Sequence, residues 1–137
     1  MMNKKKLPHI ITAVSLVVFI ILGLACATTP NPTKFNNFQD DPKYRGQFVG
    51  IWITDPNKIN GQYGVAEYND DGTGTETLYS KNNDVVLSIP FSYKTSSHQM
   101  AMLAGGNGIV WNYKFTDNNT FSIRSSPHSF IYRRVPE

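Results

Sequence analysis

The chain has 137 residues and carries 13 Lys and Arg against 10 Asp and Glu, a formal net charge of +3. Lys4, Lys5 and Lys6 account for that excess, so the part from residue 26 onward is close to neutral. Because nucleic-acid binding needs a clustered basic surface, this composition argues against a nucleic-acid partner. The single cysteine excludes an intrachain disulfide and a cysteine-rich zinc site.

The first 26 residues have the pattern of an export signal. Three lysines precede a mostly apolar run from Ile10 to Ala25, and Cys26 follows it. The end of the run, Leu22-Gly23-Leu24-Ala25-Cys26, resembles the lipobox of bacterial lipoproteins. The resemblance implies that Cys26 receives a diacylglycerol, that the chain is cut before it, and that a fatty acid such as palmitate acylates the new N-terminus. Residues 1–25 would then be a signal peptide.

Two other interpretations of the leader remain open. Ala25-Cys26-Ala27 also fits an ordinary signal peptidase site, which would release a soluble secreted protein. An apolar run of this length can just span a bilayer if it is not cut, with the lysines holding its start in the cytoplasm. All three interpretations place residues 28–137 outside the cytoplasm. As a lipoprotein, the chain would be anchored in the bacterial cell envelope by its covalent lipid, facing the periplasm or the exterior.

Residues 26–44 are expected to be a lipidated cysteine followed by a flexible tether. They include Pro30, Pro32 and Pro42 among many polar residues, with no apolar periodicity from which a core could form. The folded domain is therefore predicted to occupy residues 45–137.

That domain is predicted to be all-β. Eight short segments have strand character, several with clear alternation of apolar and polar residues, and none has the 3.6-residue apolar period of a helix. Turns rich in Asn, Asp and Gly separate many of them, and strands joined by such short turns pair antiparallel. A meander with one apolar face removes its edges best by closing into a barrel. The predicted strands are 47–54, 62–69, 73–80, 85–94, 98–103, 108–116, 119–124 and 129–135.

The first and last predicted strands resemble the lipocalin (calycin) pattern. Gly50-Ile51-Trp52 places a G-x-W at the start of the domain, and Tyr132-Arg133-Arg134 ends it. Further matches to the small bacterial lipocalin-like domains are Tyr68 before Asp71-Gly72, Phe91-Ser92-Tyr93 and Trp111-Asn112-Tyr113. The resemblance implies a small barrel whose closure involves Gly50 and Trp52, with Arg134 covering the tryptophan ring across the closed end.

Alternation in the first strand does not by itself show which face points inward. Val49, Ile51 and Ile53 are apolar, as is Trp52 between them. A guanidinium over an indole face contributes about 1–2 kcal/mol when partly desolvated, which favours pairing of the first strand with the last.

Nine large side chains are expected to face the barrel interior, where they could line a cup for a small hydrophobic ligand. Tyrosine hydroxyls would orient such a ligand, and methionines adapt to varied shapes. The alternative is that the same side chains fill the interior, because eight strands give a lumen just wide enough to be filled or to hold one small molecule. The nine are Tyr68, Phe91, Tyr93, Met100, Met102, Trp111, Tyr113, Phe121 and Tyr132.

No residue pattern indicates an enzyme. The chain lacks a G-x-S-x-G, an H-E-x-x-H and a P-loop. His98 and His128 fall short of the three or four ligands of a zinc site, so we expect neither a metal nor a cofactor.

Two functions of different classes are therefore expected. The first is an envelope-anchored, non-enzymatic lipoprotein whose lipocalin-like barrel binds a small hydrophobic molecule. The second is a structural or interaction module with a filled barrel, which would present a loop such as 104–108 to another envelope protein or to a host molecule.

Overall fold

The computed structural model describes residues 29–137, which form a short N-terminal segment and eight strands. The segment contains a one-turn helix, α1 (Thr33–Asn36), and a 3₁₀ turn at Pro42–Tyr44. None of the helices in this part of the chain has the length and apolar character that crossing a bilayer requires. The strands are β1 (Gly50–Thr54), β2 (Tyr63–Tyr68), β3 (Thr73–Tyr79), β4 (Val85–Thr95), β5 (Gln99–Ala104), β6 (Asn107–Asp117), β7 (Thr120–Ser125) and β8 (His128–Arg134).

The eight strands form one closed antiparallel barrel in chain order. Trp52 of β1 pairs with Ala66 of β2 on one side and with Arg134 of β8 on the other, so the first strand closes the sheet. The predicted all-β meander and its closure are confirmed. Each observed strand overlaps its predicted range, and the largest difference is at the start of β1, predicted at residue 47 and observed at Gly50.

The strands are strongly inclined to the barrel axis. One row of paired residues runs from Thr73, at the start of β3, through Ser92 and Leu103 to Gly108, near the start of β6. These two starts lie at opposite ends of the barrel because β3 and β6 run in opposite directions. A closed barrel requires such a stagger, which sets its radius.

The barrel has two different ends. The basal end carries the turns that follow β2, β4 and β6, and the N-terminal segment crosses it to enter β1. The distal end carries the turns that follow β1, β3, β5 and β7, which span residues 55–62, 80–84, 105–106 and 126–127.

The N-terminal segment differs from the flexible tether expected for residues 26–44. Its described part, residues 29–44, packs along the outside of β5 and β6 and then crosses the bottom of β4. Asn31 donates its backbone N–H to Asn107 Oδ1 at 2.9 Å and accepts from the backbone N–H of Gly108 at 3.0 Å. These contacts fix the beginning of the segment at the turn between β5 and β6.

Further contacts hold the rest of the segment against the barrel as far as the basal end. The ammonium group of Lys94 donates to the Phe35 carbonyl at 3.0 Å and lies 4.5 Å from the centre of its ring. Asp40 accepts from the backbone N–H of Thr95 at 2.9 Å and from Arg45 at 2.6 Å. The local composition predicted a tether because it contains no signal for these contacts, most of which join residues more than 50 positions apart.

Removal of the Asp40 carboxylate tests whether this segment contributes to the fold. We expect Asp40→Ala to lower the free energy of unfolding by about 1–3 kcal/mol, because a backbone N–H and a guanidinium lose a charged acceptor. Urea denaturation measures the change. Gln39→Ala, an exposed neighbour, is the control and should stay within about 0.5 kcal/mol of wild type. Equal small effects for both variants would mean that the segment is only loosely attached.

Candidate functional site

The three residues predicted to close the barrel come together at the basal end. The guanidinium of Arg134 lies 4.2 Å from the centre of the Trp52 ring. Its two terminal nitrogens donate to the carbonyls of Val49 at 2.7 Å and Gln47 at 3.0 Å. Gly50 has a φ of +129°, and a Cβ there would lie 2.6 Å from Arg134 Nη1. Glycine is therefore required both by the backbone and by the close approach of the guanidinium.

The indole of Trp52 points inward and is fully buried. Its Nε1–H donates to the Phe48 carbonyl at 2.7 Å, while Ile51 on the opposite face is 43% exposed. The structure thus decides the orientation that alternation in the first strand left open. Trp52 contributes to closure of the barrel.

Phe48 plugs the basal end, a role the sequence analysis did not assign to it. Its ring is fully buried, and its centre lies 4.9 to 6.5 Å from the centres of five other aromatic rings, mostly edge to face. Phe48 lies within the predicted first strand, 47–54, on the same parity as Trp52, but the structure places it in the turn before β1. Its shared parity with Trp52 was the one signal in the sequence, and it was not decisive because the inward face of that strand was open. The five rings belong to Tyr68, Tyr93, Tyr113, Phe115 and Phe121.

The nine side chains predicted to line the interior all belong to the core or pack against it. Eight are buried, with at most 4% of their surface exposed, and Tyr113 is partly buried. Many of these rings contact one another, as in the stacked pair of Phe121 and Tyr132 with ring centres 5.0 Å apart. The eight are Tyr68, Phe91, Tyr93, Met100, Met102, Trp111, Phe121 and Tyr132.

Two of the interior tyrosines have structural partners for their hydroxyls. Tyr93 donates to the carbonyl of Asn69 at 2.6 Å, and Tyr113 donates to the carbonyl of Ser96 at 2.5 Å. Both acceptors lie in basal turns. These hydroxyls hold the turns against the barrel.

A buried carboxyl group, that of Glu76 on β3, lies inside the barrel. The residue is 1% exposed, and its Oε1 has no hydrogen-bond partner within residues 29–137. Its register neighbours are Ala66 and Ile89, both apolar, and a Cβ on Gly64 would lie 3.3 Å from Oε1. A carboxyl in such surroundings avoids ionisation.

Burial raises the pKa of Glu76 from 4.5 to about 8, so the group is mainly protonated at neutral pH. Burial also raises the pKa of Tyr68 and of Tyr132 well above 10, and the nearby Glu76 adds to both shifts. A protonated carboxyl both donates and accepts hydrogen bonds. The interior therefore holds a neutral polar group close to two tyrosines.

The inward position of Glu76 was not predictable from the sequence because β3 lacks apolar alternation. Gly74, Glu76 and Leu78 face inward, while the threonines at 73, 75 and 77 face outward. Both sets are mostly small or polar, so the strand gave no sign of which residues were internal. The one available signal was indirect. Alternation shows which residues of β4 face inward, and pairing β3 with β4 across the turn between them would show which residues of β3 do so.

A second interior polar group lacks a partner. Trp111 is fully buried beside Phe130, with ring centres 5.9 Å apart, and its Nε1–H donates to no group within residues 29–137. It pairs in register with Met100. A buried indole N–H ordinarily finds an acceptor, so this group is available to a ligand.

The outside of the barrel has a shallow groove of about 500 Å³. It extends from the turn after β2 to the turn after β5, and Pro90, Phe91 and Leu103 contribute to its lining. Groups of three or more His, Cys, Asp or Glu that could hold a metal ion do not occur among the described residues. His98 and the hydroxyl of Ser97 contact each other at 2.7 Å.

Comparisons of the chain with protein-family models, with curated proteins and with solved structures found no significant match. The structure itself shows an antiparallel eight-stranded barrel closed by β1 and β8, an architecture consistent with a lipocalin-like fold. The predicted export signal and the predicted lipidation site, Cys26, lie outside the described residues.

Truncation of Trp52 tests its role in closure. We expect Trp52→Ala to lower the free energy of unfolding by about 3–5 kcal/mol, because a fully buried aromatic side chain is lost. Urea denaturation followed by circular dichroism measures the change. Ile51→Ala, on the outer face of the same strand, is the control and should cost about 1 kcal/mol or less. Similar losses for the two variants would contradict the assignment of Trp52 to the core.

The buried carboxyl predicts a pH dependence of stability. Its folded pKa of about 8 lies above the unfolded value of 4.5, so its contribution to stability is complete below pH 4.5 and is lost as pH rises through about 8. Relative to Glu76→Gln, wild type should lose about 3–5 kcal/mol of unfolding free energy over that range. Denaturant titrations at several pH values measure the difference. The control is Glu67→Gln, which removes an exposed carboxyl on β2 and should keep the wild-type dependence of stability on pH. Parallel dependences for wild type and Glu76→Gln would refute the raised pKa of Glu76.

Proposed function

We propose that this protein is an envelope-anchored lipoprotein whose lipocalin-like barrel binds a small, mainly apolar molecule in its interior. The observation that carries the proposal is the Glu76 carboxyl, buried among aromatic and aliphatic side chains with an unpartnered oxygen. Apolar burial would provide affinity, and the carboxyl would hold one polar group of the ligand.

A polar group without a hydrogen-bond partner destabilises a protein core. Leaving a buried hydrogen-bonding group without a partner lowers the stability of the fold by about 1–3 kcal/mol. An apolar residue of similar shape has no hydrogen bond to lose and avoids this penalty. A ligand with a hydroxyl, carbonyl or amide group would satisfy Glu76 and remove that cost. The indole N–H of Trp111 would serve as a second donor.

Room for a ligand would come from side-chain rearrangement. The interior side chains contact one another, so an incoming molecule must displace some of them. Met100 and Met102 are fully or almost fully buried on β5, and unbranched thioether side chains repack at low cost. An eight-stranded barrel accommodates at most one small molecule.

A filled barrel that acts as an interaction module is the second candidate. The edge-to-face contacts around Phe48 favour it, because they pack the basal half of the interior without a ligand. The loop expected to meet a partner, residues 104–108, is partly covered by the N-terminal segment. A Cβ on Gly106 would lie 3.0 Å from Pro30, and one on Gly108 would lie 2.8 Å from the backbone nitrogen of Phe35.

The anchor is proposed from the leader, with diacylglycerol on Cys26 holding the protein on a bacterial membrane. Its direct test is the intact mass of protein extracted from membranes. Acylated protein should lack residues 1–25 and carry added acyl groups, and Cys26→Ser should abolish the addition. An intact mass that keeps the leader without added acyl groups would contradict the lipoprotein assignment.

Ligand binding is tested by native mass spectrometry of protein from its own host, together with thermal melts against a panel of apolar compounds. We expect a bound small-molecule mass and a melting temperature raised by about 5 °C or more, because a ligand that binds only the folded state stabilises it. Glu76→Leu should lose the bound mass while remaining folded, and Glu67→Gln should retain it. An empty wild-type barrel that responds to no compound would leave the interaction module as the function.

A further inference from the structure

The first described residues lie at the distal end of the barrel. Pro30 packs against Gly106, and Asn31 is hydrogen-bonded to Asn107 and Gly108 in and beside the turn after β5. From there the segment descends to the basal end, where Phe48 closes the barrel. The described part of the chain therefore begins at the distal end.

The distal end also carries three exposed apolar side chains, which we call the apolar rim. Ile59 is 82% exposed, Val85 is 61% exposed and Val86 is 48% exposed. Ile59 belongs to the loop after β1, and the two valines begin β4. Exposed apolar side chains grouped at one end of a molecule mark a contact surface.

The loops that carry the rim are in contact with each other. A Cβ on Gly61 would lie 2.8 Å from Lys81 Cβ, and the hydroxyl of Tyr63 donates to Asn83 Oδ1 at 2.7 Å. Tyr63 also stacks on Tyr79, with ring centres 5.3 Å apart. The rim is therefore one surface on two joined hairpins.

Two lysines flank the rim. Lys58 adjoins Ile59, and Lys81 lies in the turn before Val85; both are exposed. Of the acidic groups in the same two loops, Asp55 is paired with Arg133, and Asp84 is exposed. Apolar side chains beside lysines suit an interface between anionic headgroups and acyl chains.

We propose that the distal end faces the membrane and that the apolar rim inserts into the headgroup region of a phospholipid bilayer. The proposal rests on the lipidation of Cys26 put forward above. Cys26 precedes Thr29 by three residues, which span at most about 11 Å of extended chain. An acyl anchor at that position therefore holds the distal end close to the bilayer, while the end plugged by Phe48 points away.

The experiment uses the full acylated protein reconstituted in vesicles of phosphatidylethanolamine and phosphatidylglycerol. Because the sulfur of Cys26 carries lipid, an introduced cysteine is the one free thiol and takes a polarity-sensitive fluorophore. Ile59→Cys and Val85→Cys place the probe on the rim. Asn118→Cys, at an exposed basal turn, is the matched control.

We expect the rim probes to shift to shorter wavelength on vesicles and to be quenched by nitroxide lipids about twofold more than the Asn118 probe. Protein that floats with the vesicles but shows equal quenching at both ends would overturn the orientation and leave the anchor standing. Rim probes shielded from water without lipid quenching would indicate a protein partner and would also overturn it. Protein that does not float at all would instead refute the lipid anchor.

Discussion

Closure of the barrel at β1 and β8 is the constraint on which the rest of the structure depends. A meander leaves its first and last strands as open edges, and here they pair through Trp52 and Arg134. The guanidinium covers the indole and also binds the carbonyls that precede β1. One side chain therefore joins the end of the last strand to the chain entering the first.

The same closure positions the basal plug. Because the carbonyl of Phe48 accepts from the indole of Trp52, the turn before β1 is pulled beneath the barrel and its phenyl ring enters the aromatic cluster. The residues before this turn are then held against the outer wall by Asp40, Lys94 and Asn31. The route of the N-terminal segment, from the distal end to the basal end, follows from these contacts.

The interior combines two opposing properties. Its basal half is packed with aromatic rings, which stabilises the barrel and leaves little free space. Near this cluster, Glu76 and Trp111 carry polar atoms without partners, which is an energetic cost in the absence of a ligand. An apolar residue at position 76 would avoid that cost, and the presence of a carboxyl there is what makes the interior a candidate binding site.

Strands with one buried and one solvated face were predictable because their side chains alternate. Phe91 and Tyr93 were predicted to face the barrel interior, and the structure places both on the inner face of β4. Glu76 could not be assigned in this way, because it lies in a strand of small and polar residues. Phe48 shares the parity of Trp52 in the predicted first strand, but both faces of that strand are apolar, so alternation did not show that Phe48 points inward.

By itself the sequence determined the strand order and the antiparallel pairing, since short turns and two-residue periodicity depend only on neighbouring residues. Closure of the sheet followed from a general constraint, that a meander with one apolar face removes its edges by pairing its first strand with its last. The tertiary structure alone decided the inward face of β1, the path of residues 29–44 and the burial of Glu76. Each of those outcomes depends on contacts between groups far apart in the chain. Periodicity contains no information about such contacts, because it depends on the neighbours of a residue in the sequence and not on the residues that it contacts in the folded protein.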